Sequence, residues 1–204
     1  METSVLVPAG PVLLVGAPAA GKSAFAGALV AQGRLPAAAV VSSDAIAEEL
    51  FGPGADRGTV GAQVFEERDR RVAERLHEGR TAVIDATNVL PRGRERLPAI
   101  ARKSGAPVTA LRFALHEPVL LLQSRERATR IPDARIHVYA ALLRDTADAR
   151  RLLTEGVSAV HEVPGRAQGV RAAEAARRFR FEGCEWREEG RRPAGTANDA
   201  DTPP

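Results

Sequence analysis

Five short apolar runs punctuate the chain, each too short for a helix and most closing on an acid or a turn former. VLLV at 12–15, AAVVSSD at 38–44, TAVIDATN at 81–88, PVTALRFAL at 107–115 and GVSAVHEV at 156–163 read as strands. A continuous apolar run marks a strand covered on both faces. Between these runs the spacing becomes helical. FAGALVAQG at 25–33 predicts a helix stopped by Gly33. Val60, Val64, Phe65, Val72 and Leu76 fall on one face of a helix over 59–79, with Thr59 as its cap and Gly79 at its end. A helix over 92–103 is limited by Pro98, and an Arg-rich helical region runs from 117 to 155 with a break near Pro132. Strands alternating with helices over some 160 residues predict an α/β fold, with right-handed crossovers and a parallel sheet between two helical layers. Beyond it, 170–180 reads as another helix and FEGCEW as a short extended piece, while the small, polar end of the chain is expected to be disordered from about 187. The expected division is one domain over 1–164 and an extension over 165–204.

Composition narrows the classes. A chain of 204 residues with 44% hydrophobic content is long enough to bury one sizeable core. It contains no apolar run of the roughly 18 residues a membrane span needs, and no basic-then-apolar leader, so a cytoplasmic protein without a membrane partner is expected. A single cysteine, Cys184, cannot form a disulfide within the chain, and the four histidines show no metal-ligand spacing with it. The net charge of +3 is mild, so nucleic acid is neither required nor excluded as a partner. The chain has 27 arginines and only two lysines, which makes arginine the default cation and makes the placing of Lys22 informative.

Gly16, Gly21, Lys22 and Ser23 satisfy G-x-x-x-x-G-K-[ST], after a buried strand and at the start of a helix, where a phosphate loop requires it. Ala17, Pro18, Ala19 and Ala20 are small enough for backbone amides to approach phosphate oxygens, and the helix N-terminus adds partial positive charge. Lys22 would reach the β and γ phosphates of ATP, and Ser23 would ligate Mg²⁺. A compact ammonium fits between phosphates where a planar guanidinium does not, which answers the arginine bias. The guanine-reading N-K-x-D and the D-x-x-G switch of signalling GTPases are absent, and Asp85 is followed by Ala86 instead of a water-orienting glutamate. A kinase is therefore the better reading than a GTPase or a motor ATPase.

A kinase needs a carboxylate facing the γ-phosphate. Asp44, at the end of the second run, suits a general base; its alternative role is the cap of the helix AIAEELF. Asp85 suits a contact to a Mg²⁺-bound water, or else a strand-end turn. Arg125, Arg127, Arg130 and Arg135 crowd eleven residues and suit a lid over the triphosphate, or else a solvated helix face.

GAPAAGKS, VVSSD, TAVIDATN and RERATRIP together resemble the kinase module of bacterial and phage polynucleotide 5′-hydroxyl kinases, within the P-loop kinases and AAA-type ATP-binding domains. The likeness covers about 11–163. It implies transfer of the γ-phosphoryl group of ATP, with Mg²⁺, to the 5′-hydroxyl of a polynucleotide. It further implies Asp44 as base, Arg125 and Arg130 as the catalytic lid pair, Arg127 on the nucleotide, a lid over about 125–136, and a sheet in the order 2-3-1-4-5. Two departures stand out. Such kinases carry an arginine three residues after the base, where this chain has Ala47, and the lid spacing is shifted. A small hydroxyl substrate, such as a nucleotide sugar, an antibiotic or a metabolite, and a regulatory ATP-binding module without an acceptor are the alternatives.

Overall fold

The computed structural model describes residues 4–54 and 57–184. The chain opens with strands β1 (Val5–Val7) and β2 (Pro11–Val15), helix α1 (Lys22–Ala31), strand β3 (Val40–Ser42) and helices α2 (Ser43–Phe51) and α3 (Arg57–His77). Its middle holds β4 (Ala82–Asp85), α4 (Leu97–Lys103), β5 (Thr109–Arg112), α5 (Glu117–Arg125), α6 (Asp133–Thr146) and α7 (Ala149–Thr154). It closes with β6 (Ala159–Glu162), α8 (Ala172–Arg177) and β7 (Phe179–Phe181).

Five strands form a parallel sheet in the order β3-β4-β2-β5-β6. Counted over the five runs read from the sequence this is 2-3-1-4-5, as expected. β2 sits at the centre with all five residues buried, because helices cover both faces. Val12 and Leu14 point to one side, among Phe25, Leu29, Leu120 and Ile136. Leu13 and Val15 point to the other, among Ile46, Val72, Leu97 and Leu152. This strict alternation makes the run apolar without a break.

Element ends differ from expectation wherever a cap or a proline sets them. β3 stops at Ser42 because its hydroxyl accepts the Ala45 amide at 3.3 Å and starts α2. Asp44 therefore lies in the first turn of that helix and not at a strand end. The helix expected over 92–103 splits into a 3-10 turn, Pro91–Gly93, and α4, with Pro98 in its first turn, where a missing N–H costs nothing. The region from 117 to 155 becomes three helices, the last capped by Asp148, which accepts the Arg151 amide at 3.1 Å.

The pattern alone does not suggest β1, which pairs in parallel with β7, Val5 opposite Phe179 and Val7 opposite Phe181. The extended piece expected in FEGCEW falls instead at Phe179–Phe181, where Phe179 turns into the core and Arg180 outward. Phe25 of α1 meets Phe113 and Phe179 edge-on, with centroids 5.4 and 5.6 Å away. Residues 165–184 thus share the core of the preceding domain. The tail from about 187 lies outside the described residues.

Candidate functional site

The loop between β2 and α1 is built by backbone constraints. Gly16 donates its amide to the Thr87 carbonyl at 3.0 Å, and a Cβ there would stand 3.0 Å from that of Phe113 and 3.2 Å from its carbonyl oxygen. Ala19 and Gly21 are both left-handed, with φ of 65° and 90°. Those two reversals curl the loop around the start of α1. No side chain caps this helix and no acid lies in its first turn, so its N-terminal amides remain available to an anion.

Lys22 is 8% exposed, and its Nζ donates to the carbonyls of Gly16 at 2.9 Å and Ala17 at 2.8 Å. Burial pulls its pKa down to about 8, against the carboxylates of Asp85 and Asp44, while the charge of Arg127 adds to the lowering. Asp85, at the end of β4 and 9% exposed, is pushed up by burial and held back by a hydrogen bond from the Ser23 hydroxyl and by Lys22. Ser42 pairs in register with Asp85, so Asp44 emerges at the same end of the sheet. Lys22, Ser23, Asp44, Asp85 and Arg127 are thus electrostatic neighbours at one mouth. The Ser23 hydroxyl beside the Asp85 carboxylate is a hard-oxygen pair that fits Mg²⁺ carried mostly by phosphates and water. Among the described residues no group of three or more His, Cys, Asp or Glu side chains forms a protein-only cage.

The four arginines expected over the triphosphate divide. Arg127 is the one whose charge bears on Lys22. Arg130 donates to both oxygens of Asp133 at 3.0 Å, and the charge of Arg125 also acts on Asp133, whose carboxyl is held below its usual range chiefly by Arg130. Arg135 stacks over the Tyr139 ring at 5.6 Å. Ala47 is 1% exposed and faces the core beside Ile46, so it offers nothing to an acceptor.

Several features have no clear signature in the sequence. Asn88, left-handed at φ 48°, donates its side-chain amide to the carbonyls of Leu14 at 3.0 Å and Ile84 at 3.2 Å. An asparagine closing a strand-end turn is the one available hint. A hollow of about 340 Å³ lies behind the loop, bounded by Ala24, Phe25, Gly165, Arg166, Val170 and Arg171. Arg166 also pairs with Glu126, which ends α5. On the other side, a cleft of about 560 Å³ runs from residues 86–88 past Phe65, Leu90, Arg92, Glu95, Arg96 and Tyr139.

A five-stranded parallel sheet in this order, with a glycine-lysine-serine loop after its central strand, defines a P-loop fold. Residues 12–153 match the AAA domain family, and the chain belongs to it. Among solved structures it is similar to a putative kinase from Chloroflexus aurantiacus, 21% identical with a TM-score of 0.60, over 86% of this chain and 93% of that one. It is also similar to a chain of the Pnkp1/Rnl/Hen1 RNA repair complex, 21% identical with a TM-score of 0.57 over 72% of this chain, and spans 46% of that chain's length. A tunicamycin resistance protein of Deinococcus radiodurans is 14% identical, with a TM-score of 0.52 over 82% of this chain and 91% of that one. At these identities the likeness is one of fold. No curated protein matches the sequence.

Proposed function

We propose that the protein is an ATP-dependent phosphotransferase that moves the γ-phosphoryl group to a hydroxyl, with the 5′-hydroxyl of a polynucleotide as the leading acceptor. The observation that carries this reading is the meeting of Lys22, Ser23, Asp85, Asp44 and Arg127 at one mouth of the sheet. Loop amides from 17 to 23 hold the triphosphate, and the 340 Å³ hollow behind Gly21 takes the base. Ser23 and Asp85 would hold Mg²⁺, which would supply charge neutralisation to the phosphate oxygens. Asp44 accepts the acceptor's hydroxyl proton as the new P–O bond forms and the bond to the β-phosphate breaks, releasing ADP. Lys22, Arg127 and the pair Arg125 and Arg130 offset charge on the transferring group. The acceptor enters by the 560 Å³ cleft, which opens beside residues 86–88, immediately after Asp85.

A second reading, a compact hydroxyl acceptor, draws on two observations. Glu66 and Glu95 line the cleft alongside Arg92 and Arg96, so its charge is mixed and not that of a polyanion groove, and Ala47 supplies no phosphate grip. The loop strings and the fold shared with an RNA repair complex favour the polynucleotide. Transfer of label from γ-labelled ATP to a 5′-hydroxyl oligonucleotide, measured against nucleosides, amino sugars and hydroxy acids, separates the two. Label on the oligonucleotide supports the first reading and label only on a small compound supports the second. No transfer to any of them overturns the phosphotransferase.

A further inference from the structure

Arg94 lies outside the phosphate loop, yet it is 2% exposed and every nitrogen of its guanidinium donates. It lies between the 3-10 turn Pro91–Gly93 and α4. Its Nε and one Nη grip both oxygens of Glu155, the residue that ends α7, at 2.6 and 2.8 Å. The same Nη donates to the carbonyl of Thr146, the last residue of α6. The other Nη donates to the Asn88 carbonyl at 2.7 Å.

Asn88 ends the turn that begins at Asp85. That turn is held from three directions: the Gly16 amide donates to Thr87, the Asn88 amide reaches Leu14 and Ile84, and Arg94 holds Asn88 from the far side. Thr146 adds a hydroxyl 2.5 Å from the Val89 carbonyl. Stability alone does not explain a guanidinium here, because a buried ion pair is often no better than apolar residues of the same volume. What it offers over an apolar side chain is a rigid fork with fixed donor directions, able to tie three chain segments at set distances.

We propose that Arg94 is a positioning residue for phosphoryl transfer. By joining the Asn88 carbonyl to the ends of α6 and α7, it fixes the turn that carries Asp85 relative to the phosphate loop and to the helix that follows the lid. α6 begins at Asp133, beside the lid arginines, and ends on Arg94. Lid helix and γ-phosphate wall therefore share one anchor. The inference rests on the phosphotransferase reading for its kinetic measurement and is independent of it for its structural one.

Arg94→Lys, which keeps the charge but loses the fork, tests it, with hydrogen exchange read over 14–18 and 84–90. The expected result is a kcat lower by about 10- to 100-fold, little change in KM for ATP, and faster exchange confined to those two segments. Wild-type kcat and exchange would overturn the proposal, as would a loss of rate with uniformly faster exchange through the sheet. If Arg94→Lys yields no folded protein, Glu155→Gln carries the same test. It removes the partner's charge while keeping its shape, and a smaller loss of the same pattern is expected. Should the wild type phosphorylate nothing, the phosphotransferase fails while exchange in the two segments still decides the brace.

Discussion

Lys22 carries the sharpest consequences of any single residue. Its ammonium is charged in both the folded and the unfolded chain below pH about 8, and there the folded state bears the full desolvation penalty. As pH rises from about 8 towards 10.5 the folded protein gives up this proton first, so the unfolded state holds more protons. Stability of the nucleotide-free protein should therefore gain from this residue across that window, while affinity for ATP falls. Urea midpoints and calorimetric titrations on either side of pH 8 check both, and Lys22→Met should flatten both trends. Lys22→Ala should lose transfer by orders of magnitude without lowering the melting temperature. A second contrast lies at the start of α2: Ser42→Ala should cost about 1 kcal/mol of stability with turnover largely kept, whereas Asp44→Asn should cut turnover far more than stability. Denaturant midpoints and initial rates tell them apart. The string S-S-D shows that a cap and an acid are present; which residue caps depends on one hydrogen bond, a matter of geometry that residue types leave open.

At the scale of elements, the period of the pattern located the central strands and the long amphipathic helix because their environments are extreme: both faces covered, or one face only. Where the pattern fails is instructive. Arg68 sits on α3 at a buried position that an apolar periodicity skips, its guanidinium satisfied by Asp69 and the Gly93 carbonyl and stacked on Phe65 at 4.8 Å. The cleft beside α3 was equally invisible, since no local period reports a hollow between distant segments. Gly61 lies on its wall, and a Cβ added there meets nothing within 4 Å. Gly61→Leu should therefore project into the cleft without strain, raise KM for the acceptor or abolish transfer, and leave ATP affinity intact. Thermal stability should hold or rise, since glycine within a helix is about 1 kcal/mol worse than alanine. Calorimetry with ATP beside acceptor kinetics checks this, and unchanged acceptor kinetics would remove the cleft from the reaction path.

For the whole molecule, the decisive contact is between the two ends of the described chain. Residues 5–7 and 179–181 pair across more than 170 positions, and three-residue strands carry too little pattern for either to announce its partner. Phe179 closes the aromatic group around Phe25, on the helix that begins at the phosphate loop. Phe179→Ala should cost about 3–5 kcal/mol, and removing residues 165–204 should yield a protein that melts far lower instead of a trimmed, intact domain. Chemical denaturation of both checks the expectation.

The same late segment gives each molecule a timetable. A nascent chain that has left the ribosome through β6 already owns the lysine and its loop, but Arg166, Val170 and Arg171, the back of the compartment assigned to the base, come afterwards. On the proposed base site, ATP can then assist folding only after residues 165–171 have joined the domain.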